Sequence, residues 1–452
     1  MKYSFRIRIL IPLLCLFALI SCEEDNTENT YDEGSNEYVD DWMYNQMKRY
    51  YFWNTSISDK GNLSLQPKEY FKSLLRSGDI YSYAMHPEQP ETSPKSMRSK
   101  FGFDVSFISF EGKYYGVVLY ALEDSPAKRN GLERGNIITK INGTEVSQNN
   151  YNQLYENMIA TAQIDLEIKS YTENDGFSNP KEVSIQQGFT FSQPIKYQVI
   201  EKNNVKTGYI EIPHFDVGQA QLFAQIFQKL KSKSITELVV DLRYNGGGDI
   251  SSAAALSIVL APNIKSNNLF IKFEGNANGG KVDQSFAQAL ESNETKVNFN
   301  VLQNVHPNIN RVYILCGGRT ASASELIINN LSPYMPVITI GEKTFGKDVA
   351  SFPVEDNRIP DKRGWILYPA IYKLFNAKSE GNYSDGINPE VSVTEIQNPE
   401  IFPLGSTSET LLNTALNAIT GNTSKIKKST IKTMPLRTAV IEADPLLYRN
   451  IQ

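Results

Sequence analysis

Apolar residues recur along the chain with two different periods. Over 38–98, Trp42, Met43, Met47, Tyr50 and Tyr51 fall at helical spacing, and Tyr70, Phe71, Leu74 and Leu75 begin a second amphipathic pattern. An aromatic-rich helical region is predicted there, with the aromatic stripe as core. From Phe101 the period becomes that of strands: Val105, Phe107 and Ile108, then the run 115–120. Ser125-Pro126-Ala127 followed by Gly131 predicts a short helix stopped by glycine, and Asn142-Gly143 predicts a tight hairpin. A helical stretch at 151–158 and a strand at 164–171 complete that unit. After a polar connection ending near Gln193, strands at 208–212, 238–242, 312–315 and 337–340 alternate with helices at 219–230, 251–260 and 323–331. Such alternation predicts a mostly parallel sheet covered by helices. One more helical stretch, 411–419, precedes a polar segment with no assigned structure.

Composition narrows this only a little. A chain of 452 residues suggests two to four domains of about 100–200 residues each. With 40% hydrophobic and 21% charged residues it has ample material for a core. The net charge of −5, without a long basic run, argues against nucleic acid as a partner.

The first residues change the picture more. Lys2, Arg6 and Arg8 precede an apolar run over 9–20, too short for a comfortable membrane span, as in a secretory signal. The run ends in Leu19-Ile20-Ser21-Cys22, which resembles the lipobox of bacterial lipoproteins. That resemblance implies lipidation of Cys22 and attachment to the cell envelope; a plain signal with a chance cysteine is the alternative. Glu23-Glu24-Asp25 and the polar stretch to Ser35 read as a tether, and an acidic run there also resembles surface-export signals of some Gram-negative lipoproteins. With Cys15 leaving in the signal and Cys22 lipidated, Cys316 stands alone and no intrachain disulfide is possible. At the end of an apolar strand, Cys316 is expected to be buried and inert.

Three segments carry candidate chemistry. Gly317-Gly318-Arg319-Thr320-Ala321-Ser322-Ala323-Ser324-Glu325 runs from a strand into a helix. A serine in the first helical turn meets unsatisfied N–H groups and the positive end of the helix dipole. By itself, however, Ser322-Ala323-Ser324-Glu325 is also an ordinary capping motif. Gly341-Glu342-Lys343-Thr344-Phe345-Gly346-Lys347 follows the next strand, so its loop can converge on the first, and Lys347 can approach Ser322. A lysine acts as a base only when neutral, which asks desolvation to lower its pKa from about 10.4 by roughly 3 units. Asp241-Leu242-Arg243-Tyr244-Asn245-Gly246-Gly247-Gly248-Asp249 supplies a glycine loop whose N–H groups can hold an oxyanion; no Gly-Lys-Ser/Thr follows, which rules out a P-loop. Only His86, His214 and His306 are present. His214 alone could visit the Ser322 site for a His-based triad and is expected instead to line the groove or be structural. The scatter of the three without ligand spacing argues against a zinc site, and no metal or organic cofactor is expected.

Together these segments resemble the carboxyl-terminal processing (tail-specific) peptidases of the S41 family. The resemblance implies Ser322 as nucleophile, Lys347 as base, and the N–H groups of Ala323 and Gly247 as the oxyanion hole. Asp385-Gly386-Ile387-Asn388-Pro389-Glu390 looks like the family's late segment. Two positions depart from the pattern: Ser351 stands where many members carry a lysine-orienting glutamine, and Asp348 follows the lysine in place of glycine. Ser351 is the candidate for a weaker orienting contact. Asp348, turned inward, would raise the lysine's pKa. The order of elements over 101–190 resembles a bacterial PDZ domain. Phe101, Gly102 and Phe103 would then hold a peptide's terminal carboxylate, and the peptide would add as a strand beside 105–108. A PDZ fold that merely props its neighbour is the alternative.

The expected architecture is multidomain α/β. It comprises a lipoprotein signal peptide (1–22), an acidic tether (23–36), a helical N-terminal region (37–100), a PDZ domain (101–190), a crotonase-like α/β serine protease domain (191–405) and a C-terminal helix and tail (406–452). The expected activity is hydrolysis of unfolded or C-terminally tagged proteins by a lipid-anchored endopeptidase. A PDZ-bearing scaffold with a weak site and an esterase acting on small esters are the rivals.

Overall fold

The computed structural model describes residues 31–292, 297–397, 399–421 and 431–434. The signal segment, Cys22 and most of the tether lie outside them.

Helix α1 (Asn36–Tyr50) starts at Ser35, whose hydroxyl accepts the Tyr38 N–H at 3.2 Å, and it buries Trp42, Met43 and Met47. Helix α2 (Pro67–Ser73) is short, with proline at its start and Tyr70 and Phe71 buried. The helical expectation for 37–100 needs correction beyond this point. Asp79 Oδ1 accepts the N–H groups of Tyr81 and Ser82 at 2.9 and 3.1 Å, a turn that redirects the chain into strand β1 (Tyr83–Met85). That strand pairs antiparallel with Ile366–Tyr368, so the N-terminal region is stitched to a distant part of the chain.

Next come β2 (Phe103–Phe110), β3 (Lys113–Ala121), β4 (Ile137–Ile141), helix α3 (Tyr151–Ala160), β5 (Gln163–Lys169) and β6 (Lys181–Gln186). Asn142 and Gly143, at φ 48° and 74°, make the expected tight turn after β4. Phe103, Val105 and Phe107 point to one core with Leu154, Met158, Leu166 and Ile185.

The third unit holds β7 (Lys196–Lys202), β8 (Val205–Glu211), α4 (Ala220–Ser232), β9 (Glu237–Asp241), α5 (Ile250–Leu260), β10 (Leu269–Glu274), β11 (Lys281–Ser285), β12 (Val312–Cys316), α6 (Ala323–Leu331), β13 (Val337–Gly341), β14 (Val349–Ser351), β15 (Ala370–Phe375) and β16 (Val391–Ser392). Helix α7 (Thr410–Ile419) and strand β17 (Lys432–Met434) follow. The main sheet has the order β7-β8-β9-β12-β13-β16 and is parallel from β8 onward. Its central strands are apolar runs buried on both faces, as parallel strands between helices require. One face packs on α4, α5 and α6; the other packs Val239, Tyr313 and Ile340 against Leu411, Leu412 and Leu416 of α7. Asp241 pairs with Leu315 and Cys316 with Gly341. Three strands therefore end at one level, and the three candidate loops leave from the same edge.

Candidate active site

Ser322 links the loop after β12 to α6 with φ 54° and ψ −116°. Those angles belong to the first central position of a type II′ turn, where glycine is the usual residue. Ser324 N–H donates to Ala321 O at 3.1 Å and closes that turn. An ordinary capping serine has extended backbone, so the capping motif here serves a different geometry. Holding a side chain at such angles costs on the order of 1–3 kcal/mol and needs surroundings that enforce it. Asn245 supplies part of them: its carbonyl accepts Ala321 N–H at 3.1 Å and Ser324 Oγ at 3.0 Å. Thr320 Oγ1 donates to Leu242 O at 2.8 Å, and Phe345 N–H donates to Thr320 O at 3.0 Å.

Glu325 ties the serine turn to the lysine loop. Its Oε2 accepts the N–H of Ser322 at 2.9 Å and of Lys347 at 2.8 Å; its Oε1 accepts Thr344 Oγ1 and Gly346 N–H, each at 2.6 Å. The carboxylate is fully buried, and burial pushes its pKa up against the four donors. Two nitrogens bonded to one oxygen place the backbones of Ser322 and Lys347 within about 6 Å of each other. The late segment also closes here. Thr344 Oγ1 accepts Ile387 N–H at 2.7 Å, and a Cβ on Gly346 would fall 2.4 Å from Ser384 O.

Lys347 is partly buried, and desolvation lowers its pKa from the usual lysine value, while the charges of Glu325 and Asp79 pull it back up. It makes no ion pair among the described residues, and no hydrogen bond joins its side chain to that of Ser322. Asp348, fully buried, does not turn against the lysine: its Oδ2 pairs with Lys373 Nζ at 2.5 Å. The orienting contact expected of Ser351 is not made. Ser351 lies on β14 just past a register shift at Ala350, and its buried hydroxyl has no hydrogen-bond partner among the described residues.

Of the two oxyanion candidates, Ala323 opens α6, so its N–H has no partner inside the helix. Gly247 lies against the serine turn: a Cβ on it would stand 2.8 Å from Ser322 Cβ and 2.9 Å from Ala323 N. Its N–H, however, is already engaged by Asn245 Oδ1 at 2.8 Å, which corrects the expectation of a free donor. The cause is local. An asparagine side chain readily bonds the backbone two residues on.

Asn245, Asp79 and Tyr81 had no assigned role in the sequence. Tyr81 Oη donates to Gly346 O at 2.8 Å, and Asp79 Oδ2 accepts Tyr51 Oη at 2.7 Å, so the N-terminal region reaches the lysine loop. The Asp79-x-Tyr81 turn could have been noticed only through its aspartate. Arg243 is buried in a bidentate pair with Asp241, at 2.9 Å on both oxygens, and also contacts Glu409 at 2.8 Å and Glu395 at 3.2 Å. Glu395 also pairs with Arg134 at 2.7 Å; burial alone would raise its carboxyl, but the two guanidiniums overcome that and hold it at about 2. This cluster braces the start of the glycine loop against β4's flank and α7.

Cys316 is buried, with its thiol pushed up to about 12 by desolvation, as expected of an inert cysteine. His86 stacks edge-on against Trp365 and His306 Nδ1 contacts Val259 O at 2.9 Å, both away from the turn. His214 borders the glycine loop; a Cβ on Gly248 would meet its Nε2 at 2.9 Å. The peptide-carboxylate loop also departs from expectation. Phe101 and Gly102 both donate their N–H to Met97 O, at 2.7 and 2.9 Å, and Phe101 and Phe103 are fully buried. The short helix Met97–Lys100 ends into these donors, which leaves neither for a ligand.

A sequence model of peptidase family S41 matches residues 206–393, the span holding all three loops, and one of the peptidase S41 N-terminal domain matches residues 38–83. The chain carries a peptidase family S41 domain. Among curated relatives, carboxyl-terminal-processing peptidase 1 of Arabidopsis thaliana, chloroplastic, is 25% identical over 62% of this chain and 54% of its own length. Carboxy-terminal processing protease CtpA of Bacillus subtilis (strain 168) is 24% identical over 71% of this chain and 62% of its own. The chain thus spans less than two thirds of these relatives. A crystal structure of a candidate S41 protease from Bacteroides fragilis NCTC 9343 is 26% identical, with TM-score 0.67, over 85% of this chain and 98% of that one. The photosystem II D1 C-terminal processing protease, 17% identical with TM-score 0.51 over 84% of this chain and 99% of that one, shares the fold.

Proposed function

We propose that this S41 member is a serine endopeptidase that cleaves unfolded or C-terminally tagged proteins through a Ser322/Lys347 dyad. Neutral Lys347 Nζ takes the Ser322 Oγ proton as Oγ bonds the scissile carbonyl carbon. The oxyanion forms beside the Ala323 N–H, and Gly247 N–H joins it on leaving Asn245 Oδ1. The C–N bond breaks as the lysine's proton passes to the leaving amine. Water then attacks the acyl-enzyme, gives its proton to Lys347, and the C–Oγ bond breaks with that proton returned to Ser322.

One observation carries the reading. A serine in a glycine-type backbone is held to the lysine loop by one buried carboxylate, and the lysine itself is desolvated and makes no ion pair among the described residues. Their side chains must close on each other during the cycle, as catalytic hydrogen bonds often tighten only with substrate bound. The main parallel-sheet unit is read as the crotonase-like protease domain (191–405), the 101–190 unit as a PDZ domain, and 37–100 as the N-terminal domain. Cys22 is read as the lipid attachment, placing the protein at the cell envelope with its membrane contact through the anchor.

The scaffold reading is favoured by one fact, the engagement of Gly247 N–H by Asn245. Turnover of an unstructured protein by wild type, Ser322→Ala and Lys347→Ala separates the two. Loss of roughly 10³-fold or more in both variants is expected. Equal turnover in all three removes the dyad, and none in any leaves the scaffold.

A further inference from the structure

We propose that the edge of β2 that faces away from β3 is a docking site for an extended internal peptide segment with an apolar side chain, and that the chain's own residues 431–434 already fill it. This rests on reading the 101–190 unit as a peptide-binding module, and not on the chemistry of Ser322. Strand β17 lies antiparallel on β2, pairing Met434 with Phe107, Thr433 with Ile108 and Lys432 with Ser109. It is the outermost strand of its sheet. Met434 is 9% exposed and joins the cluster of Phe107, Leu154, Tyr155 and Met158 between β2 and α3. Ile431, 8% exposed, joins Ile108 and Tyr115 on the opposite face, while Lys432 and Thr433 face solvent. Main-chain pairing supplies general affinity in such strand addition, and the pockets for alternate side chains supply selectivity. Here that selectivity falls on the Met434 position.

Two observations say that the site reads an internal segment and not a chain end. Both Phe101 and Gly102 N–H groups are spent on Met97 O. The sequence also continues from Met434 to Gln452, so the seated strand carries no terminal carboxylate. The antiparallel direction sends a bound strand that continues past the Met434 position toward Val105. There the edge is already used: Arg319 Nη2 donates to Val105 O at 3.1 Å, and Arg319 also pairs with Asp104. A ligand longer than β17 therefore competes with an arginine on the Ser322 loop.

The test uses the full chain in a Ser322→Ala background, so that binding is read apart from cleavage. The probe is a fluorescent octapeptide with the sequence of residues 429–436, acetylated and amidated, followed by anisotropy. Adding Met434→Asp to the chain, which puts a carboxylate into the apolar slot, should tighten probe binding by roughly tenfold or more by removing an intramolecular competitor. Thr433→Pro, which breaks the strand differently, should do the same, and Lys432→Ala should not. A probe with Met replaced by Asp should not bind. Equal binding by all chains, binding by none, or binding that requires a free terminal carboxylate would each overturn the proposal. Turnover by the Ser322-intact chain would still decide the dyad on its own.

Discussion

Ser322 and Lys347 donate their backbone N–H groups to the same oxygen of Glu325, at 2.9 and 2.8 Å. The spacing of serine and lysine in the two candidate loops is thus set through main chain and a buried carboxylate, with Thr344 and Gly346 on its other oxygen. Glu325→Gln keeps the shape but turns one of these acceptors into an NH₂ donor facing donors. We expect kcat/KM to fall by roughly 10²-fold. Glu325 also raises the pKa of Lys347, so losing its charge should move the acidic limb of the pH–rate profile to lower pH. A loss of stability with an unmoved limb would reduce Glu325 to a packing role.

As the proposed base, Lys347 would have to be neutral to accept a proton, and burial lowers its pKa from the ordinary lysine value. Activity should rise with pH through one ionisation, with its midpoint below about 10.4. The sign for stability follows. The folded chain holds the proton less tightly than the unfolded chain, so stability increases with pH between the folded and unfolded pKa values. Lys347→Met should therefore abolish turnover and raise Tm at pH 7. Unchanged or lowered Tm would show that the ammonium is not desolvated.

The alternating strands and helices from β8 to β13 were readable because parallel strands buried on both faces carry unbroken runs such as Val312 to Leu315. The same pattern placed the three loops at one sheet edge. What Ser322 does with its backbone was not readable, because Ser-x-x-Glu also spells a capping box and the sequence gives no sign of a positive φ. Nor was the engagement of Gly247 by Asn245, a two-residue side-chain bond inside a motif read for its glycines. In the N-terminal region the aromatic period continued past α2, but Asp79 turns the chain into a strand whose partner lies near residue 367. Strand β17 was invisible for a related reason. Three residues pair with β2 across most of the chain, and no local pattern announces such a contact.

The positive φ at Ser322 makes a stability comparison possible. Glycine adopts φ 54° and ψ −116° without a Cβ penalty, whereas alanine keeps it. Both Ser322→Gly and Ser322→Ala should be inactive. The glycine variant should be the more stable by about 1 kcal/mol in denaturant midpoints, even though glycine gains more freedom on unfolding. If alanine is equally or more stable, the turn is not strained at this residue.

Asp40 presents the opposite case, a charge that the fold rejects. It is fully buried on α1, neither carboxylate oxygen has a hydrogen-bond partner among the described residues, and burial with nearby Glu37 raises its pKa to about 8. In the unfolded chain the group ionises near 3.9. Below that pH both states are protonated and nothing is lost. As pH rises from about 4 to 8 only the unfolded chain ionises, so stability declines across that window and stays low above it. Asp40→Leu, similar in size and without the charge, should raise Tm by several degrees at pH 8. The gain should shrink steadily toward pH 4, where only the added apolar contact remains. A difference that is flat from pH 4 to 8 would mean that Asp40 reaches solvent or a partner in solution.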